Sequence, residues 1–592
     1  MRSTLKYIFT YRQHVLDRCM LYLSLAISCV VLFHIGYNTH LETALIVDQW
    51  IRFSYYFLGF AVLLRTFLSI YVLQQVKIVH YGSFILLGYI LVVAIAQSTS
   101  WNLIPFLSNS EALYLGIFLI LLTELSKSSL FFDTFYFNPT LLFVCSFLGL
   151  ILIGSLLLLL PKTVQGPPLR FVDALFMSTS AVCITGLSVI DTATQLTDFG
   201  KTVLLILIQL GGLGIMTFTG FFGYFFSGGF SYKNQLMFSE ILGQNKVGSV
   251  INTLLKIIFV TLFFELLGAV FLFVSVPYSN FDRVTDHVFF AVFHSVSAFC
   301  NAGFTIVEGG LRNIDFRFNY EMQLVLTSLF ILGGLGFTMV FNTYTLIKRW
   351  FINLYRRIFH GERFRYKAWV ISFNTRLIGW SSMVLMVFAT IATLLLEQDG
   401  SLAEHKTIYG KLVTAVFTGN SSRTSGFNTI DMETVSLPFT MVIMLLMWVG
   451  ASPGSTGGGI KNTTLAIALL NIASLAKGRD HLELFHRRIS KDSVNKAFAI
   501  IVLSLLAIGI STCLLAVTDS ERGLKALAFE AFSAYATCGL SLGITHLMSD
   551  GGKVILICTM FAGRVGLLTL LVTIVKNYKN RSYTYPEEQV LF

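Results

Sequence analysis

Charge is scarce in this chain: Asp, Glu, Lys and Arg make up 12% of 592 residues, and proline occurs only nine times. A water-soluble domain carries about 25% charged residues, so a soluble fold is excluded before any motif is read. The eight cysteines show no paired metal-ligand spacing, and most lie in apolar runs or glycine segments, where free thiols pack as small hydrophobes. No zinc site, disulfide or covalent cofactor is expected. Clusters of His, Asp or Glu with catalytic spacing are also lacking, which leaves a polytopic membrane enzyme without chemistry. No run has the short apolar core and small-residue cleavage site of a removable leader.

What the chain does have is apolar length: 55% hydrophobic residues, mean hydropathy +0.74, 46 glycines. About twelve runs approach the roughly 20 residues needed to cross a bilayer as helix, near 20–38, 53–73, 83–98, 112–132, 140–160, 201–226, 252–276, 322–346, 377–396, 437–475 with a break, 497–517 and 553–576. Basic residues collect in Lys348–Lys367, Lys477–Lys491 and Lys576–Arg581, with Arg2, Lys6, Arg12 and Arg18 ahead of the first run. Positive segments stay cytoplasmic, so both termini are expected inside a plasma membrane, the bacterial inner membrane. Anionic membrane lipid accounts for the net charge of +11, and nucleic acid is not expected as a partner.

Four segments share one pattern. They end Cys183-Ile184-Thr185-Gly186, Cys300-Asn301-Ala302-Gly303, Thr424-Ser425-Gly426 and Thr537-Cys538-Gly539, their glycines about 120 residues apart, the spacing of an internal repeat. In the first, second and fourth, a Phe (Phe176, Phe293, Phe529) stands ten residues before the glycine and a Ser-Ala pair follows it. Each repeat parses as helix, outer half-helix, glycine loop, helix. A half-helix ending inside the membrane is tolerated where irregular backbone is buried or lines water, and its negative end points inward at a cation. Glycine permits the positive φ that successive inward carbonyls require. Four such loops around one axis form a ring that replaces an ion's hydration shell; the alternative is ordinary turns between helices.

Five glycines and Pro453 fall within Gly450–Asn462, which cannot hold helical hydrogen bonding, yet apolar sequence resumes on both sides. The break lies at membrane depth and is either a mobile part of a pathway or a kink that lets helices pack closely. Arg564 is a charge inside the last apolar run, where a partner or water is needed.

These residues resemble the Trk/Ktr/HKT superfamily of potassium transporters, most closely its Ktr-type membrane subunit. The likeness is carried by Val182–Leu187, Gln209–Gly214, Asn301–Phe304, Arg423–Thr429 and Gly454–Lys461, and covers about residues 136–592. It implies potassium held at filter carbonyls of Cys183, Ile184, Thr185, Gly186, Cys300, Asn301, Ala302, Gly303, Thr424, Ser425, Gly426, Thr537, Cys538 and Gly539. A glycine at Gly186, where sodium-selective relatives carry serine, goes with potassium. Gly454, Ser455, Thr456, Gly457, Gly458, Gly459 and Lys461 become an intramembrane gating loop, with Arg564 opposite as a cationic barrier; the alternatives are an Arg564 salt bridge to an acid such as Glu265, or snorkelling, and an interfacial Lys461. Arg423 is expected to brace its loop through carbonyls, and His294 to be a packing residue.

The expected fold is all-α and integral to the membrane: four pseudo-repeated helix/pore-loop/helix units around one pore (136–230, 231–347, 348–476, 477–592) after about four extra transmembrane helices in 1–135. Those four lack the arginine ladder of a voltage sensor, and Arg65 is expected to pair with Glu124. The resemblance further implies a homodimer and a separate cytoplasmic ring of nucleotide-binding subunits, for which the tail Tyr583–Phe592 is either a contact or disordered. A sodium-coupled solute symporter with broken helices is the alternative function, and sodium dependence is left open.

Overall fold

Apolar runs, several of them opened by hydroxyl or amide caps, fold as helices through the described residues, 2–37, 41–73, 78–99, 109–128, 139–213, 250–361, 372–479 and 481–574 of this computed structural model. The end of the first repeat's second helix, the basic residues Arg363–Lys367 and the tail from Lys576 lie outside them. The chain divides into two units: Met1–Tyr136 with Leu152–Ser178 and Ile190–Phe264, and Phe137–Ile151 with Thr179–Val189 and Glu265–Phe592.

In the first unit, helices Arg2–Gly36, Leu41–Leu73, Ile78–Thr99 and Ser110–Ser128 pack around Val31, Tyr55, Leu58, Val93, Leu113 and Ile117. The expected pair is present: Arg65 Nη1 and Nη2 each donate to a Glu124 carboxylate oxygen at 2.5 Å. In a buried pair of this kind, removing one partner strands a charge at about 3–5 kcal/mol.

The second unit repeats one plan. Short apolar helices, Val284–Phe299, Ile408–Thr424 and Leu524–Ala536, run into the glycine segments, and a like helix, Phe171–Val182, precedes Gly186. The helix after each glycine segment is capped by a residue that also ties back to the preceding long helix. Asn319 Nδ2 donates to Ser275 O at 2.9 Å, Ser436 N–H to Glu397 Oε1 at 2.9 Å and Ser549 N–H to Asp519 Oδ1 at 2.8 Å. In the first unit Thr197 Oγ1 does the same to Lys162 O at 2.6 Å. These caps satisfy orphan helix-end donors and fix where each pair of helices meets.

Among the described residues four helices are long and apolar enough to cross a membrane alone, Arg18–Gly36, Leu255–Ser275, Phe373–Leu396 and Lys491–Thr518, and a bent pair makes a fifth. Glycine interrupts three of the other expected runs. The run expected as one helix over 322–346 breaks after Tyr320–Gly334, and Phe337–His360 leaves at 105°. Gly336 sits at φ 82° there, a conformation closed to other residues at little cost. The departing helix mixes Lys348, Arg349, Arg356 and Arg357 with exposed Trp350 and Phe351, a pattern for an interface instead of hydrocarbon. Likewise 553–576 breaks at Gly566, and 437–475 is two helices, Leu437–Trp448 and Asn462–Ala476. One short antiparallel hairpin, Glu483–Leu484 with Arg487–Arg488, is the only strand pair among the described residues.

Candidate functional site

Each glycine segment begins where a helix unwinds. Ile184, Asn301 and Thr537, all two residues before their glycine, take left-handed φ of 57°, 60° and 49°, and the next N–H reaches back to a serine carbonyl. Thr185 N donates to Ser180 O at 2.7 Å, Ala302 N to Ser297 O at 2.7 Å and Cys538 N to Ser533 O at 2.9 Å. The same serines clamp the loop with their hydroxyls. Gly186 N–H donates to Ser180 Oγ at 3.1 Å and Gly539 N–H to Ser533 Oγ at 3.0 Å, while Ser297 Oγ donates to Phe304 O at 2.9 Å.

The third segment is one residue shorter. Its helix continues to Thr424, its buried Phe417 stands nine residues before the glycine, and its clamp is Ser421, whose Oγ donates to Phe427 O at 2.5 Å. That deletion explains why the Phe and Ser-Ala pattern fails there in the sequence. Phe176, Phe293, Phe417 and Phe529 are all fully buried and anchor their half-helices.

The four loops close on one another. A Cβ built on Gly186 would land on Ala302 O, one on Gly303 on Ser425 O, one on Gly426 on Cys538 O, and one on Gly539 on Thr185 O. Each would also lie 3.0–3.4 Å from the Cα of the next glycine in that cycle. The order 186, 303, 426, 539 and back to 186 is a ring of four, with φ of 91°, 70°, 71° and 93°. Glycine is therefore required twice at each position, by conformation and by the neighbouring backbone. The carbonyls of Thr185, Ala302, Ser425 and Cys538 are the atoms that meet around it.

The interrupted segment packs directly against this ring. A Cβ on Gly457 would meet Thr424 Cγ2 at 3.0 Å, and one on Gly458 would strike Thr537 Oγ1. Thr456 Oγ1 lies 2.7 Å from the Asn301 amide. Ile460 N–H donates to Trp448 O at 3.2 Å, closing a loop between the two half-helices. Two carbonyls freed where the helix Tyr320–Gly334 ends are taken up here: Ser452 N–H donates to Gly334 O at 3.1 Å and Thr456 N–H to Gly333 O at 3.5 Å. Phe337 N–H donates to Gly454 O at 3.1 Å in return, so the breaks in the two helices are stitched together. Lys461 Nζ donates to Gly457 O at 2.7 Å, and Arg564 Nη1 donates to Thr456 O.

Arg423 is buried and directs Nη2 at Gly450 O, 3.4 Å away, in the interrupted helix and not at its own glycine loop. His294 packs on Phe290, with Nδ1 2.9 Å from Phe290 O. Cys300 Sγ reaches Glu265 Oε1 at 3.6 Å, and Cys538 Sγ reaches Ser422 O at 3.0 Å. The sequence reading missed the clamping serines, although their fixed offset was visible. It also missed Glu530, a buried acid nine residues before Gly539 that accepts from Ser541 Oγ and, at 3.0 Å, from Thr545 Oγ1, holding the chain just past the ring.

A family model described as TrkH, cation transport protein, matches residues 135–584. Ktr system potassium uptake protein B of Bacillus subtilis (strain 168) is 33% identical over 458 residues, 77% of this chain and 96% of that protein. The protein of the same name from Vibrio alginolyticus is 35% identical over 453 residues, 75% and 93% of the two chains. Potassium/sodium uptake protein NtpJ of Enterococcus hirae is 31% identical over 460 residues, 77% and 97%. The crystal structure of the potassium transporter TrkH from Vibrio parahaemolyticus superposes with a TM-score of 0.57 over 84% of this chain and 97% of that one, at 18% identity, a likeness of fold. The matched span takes in all four glycine segments, the interrupted helix and Arg564 but leaves out the first 134 residues, and over that span the chain belongs to the TrkH family of cation transport proteins.

Proposed function

We propose that this protein takes up potassium across the plasma membrane. Four pseudo-repeats surround one pore, whose selectivity filter is the ring of carbonyls at Cys183–Gly186, Cys300–Gly303, Thr424–Gly426 and Thr537–Gly539. The observation that carries this reading is the closed cycle of glycine contacts, which turns four separated segments into one ring of backbone oxygens. A dehydrated monovalent cation needs such a ring, since carbonyl dipoles replace its water without binding it too tightly to leave. That the relatives are named for potassium uptake selects the ion, and one named for potassium and sodium keeps sodium dependence part of the question.

Gly454–Gly459 form the gate. The segment lies against the ring, its carbonyls are braced by Lys461 and Arg564, and its glycines have little intrinsic hold on one conformation. Two cationic side chains beside the path raise the barrier for a cation while the segment is seated. Both termini face the cytoplasm, where the basic helix Phe337–His360 lies at the inner interface. The working assembly is a homodimer, each chain with its own pore, regulated by a cytoplasmic ring of nucleotide-binding subunits.

Deleting Ser455–Gly459 removes the obstruction and is expected to raise rubidium uptake in cells lacking their own potassium uptake. Lower uptake at equal membrane abundance contradicts the gating role.

A further inference from the structure

Among the described residues, one ring side chain hydrogen-bonds a side chain of the gate segment. Asn301 is fully buried and holds a left-handed φ of 60° two residues before Gly303. With its amide turned to satisfy both ends, Oδ1 accepts from Thr456 Oγ1 at 2.7 Å and from Gly334 N–H at 3.3 Å, and Nδ2 donates to Phe330 O at 3.1 Å and Thr424 Oγ1 at 3.2 Å. Four hydrogen bonds saturate the amide. They run to four places: the third glycine segment through Thr424, the helix Tyr320–Gly334 through Phe330, its broken end through Gly334, and the interrupted segment through Thr456.

The equivalent positions in the other loops carry no such bridge to the gate. Ile184 is aliphatic, and Thr424 and Thr537 meet Gly457 and Gly458, which offer no side chain. Among the described residues, Asn301 is therefore the one of these four positions whose side chain hydrogen-bonds the gate segment. When the gate segment leaves, Thr456 leaves with it and a buried acceptor in the second loop loses a partner, a state more costly than a solvated one.

We infer that Asn301 is a positioning residue coupling the gate to the filter through Thr456, so that the seated gate stabilises the selective geometry of the ring and a cation held in the ring stabilises the seated gate. The second half follows from the first, because coupling between two sites is reciprocal. The inference rests on the gating reading above and adds to it that opening and selectivity change together.

The test compares Thr456→Val, Asn301→Ala and the double variant, reading rubidium uptake and its competition by sodium, with abundance in the membrane measured for each. Thr456→Val keeps the shape of the side chain and removes its hydroxyl, so it is expected to raise uptake and to weaken discrimination against sodium, each by on the order of fivefold, the lower end of ordinary coupling. Thr456→Ser, which returns the hydroxyl, moves both values back toward wild type. The double variant is expected to show no more effect than the larger single one. The inference is overturned if Thr456→Val changes uptake without changing discrimination, if it changes neither, or if the two substitutions act independently. Should Asn301→Ala fail to accumulate, Asn301→Gly, which suits the left-handed φ of 60° and likewise removes the acceptor for Thr456, takes its place in the cycle. Deletion of Ser455–Gly459 runs alongside: raised uptake there with an inert Thr456→Val sinks the coupling alone, while lowered uptake sinks the gating reading on which it rests.

Discussion

Gly186 shows how much one missing side chain decides. A serine there would put Cβ on Ala302 O and force a left-handed residue at φ 91° to carry a branch, so the backbone of two loops must shift together. Gly186→Ser is expected to lower rubidium uptake and to raise the relative uptake of sodium, because the ring no longer closes on the same radius. Uptake and sodium competition like wild type, measured at matched abundance, would remove Gly186 from the filter. At this scale the sequence was informative where chemistry is unusual. Glycines at a long fixed period, a lysine in a glycine run and an arginine in an apolar helix all stand out against composition. Asn301 did not, since a single amide before a glycine looks like a turn, and its partners come from positions 123 and 155 residues away. Ser421 and Phe417 were hidden by the one-residue deletion in their segment.

Helices were legible where an apolar run met a cap, and the expected half-helix before Gly186 is Phe171–Val182. The bend at Gly336 was not. Hydropathy runs on through Phe337 and Val340, and what turns the chain is a positive φ together with a hydrogen bond from Phe337 N–H to Gly454 O, neither of which apolar length reveals. The clamps between helix ends were also invisible, although two of them bear on pH. Burial opposes ionisation of Asp519, but bonds from Ser549 N–H, from Thr518 Oγ1 and from Ser549 Oγ, with Arg522 nearby, outweigh it and hold the carboxyl below its ordinary range. A depressed carboxylate stabilises the fold above its unfolded pKa of about 3.9, and that contribution is lost as pH falls below it. Asp519→Asn is expected to unfold at a lower temperature than wild type at neutral pH, with the gap closing on acidification below about pH 4. Equal unfolding temperatures at pH 7, followed by intrinsic fluorescence in detergent, would show that the clamp contributes nothing.

Taken whole, the chain is a transport protein of the TrkH family preceded by 134 residues outside the family match, and composition alone placed both parts in a membrane. The first four helices were countable from their apolar runs, and the buried ion pair Arg65–Glu124 was readable because two charges in such runs need each other. The central claim belongs to the rest: that backbone oxygens of four distant segments hold one dehydrated potassium ion. Rubidium anomalous diffraction from crystals of the full chain tests it most directly. The expected result is a peak on the axis of the ring bounded by Thr185, Ala302, Ser425 and Cys538 that weakens when potassium is added and persists in excess sodium. An empty axis at a rubidium concentration that saturates uptake would contradict it.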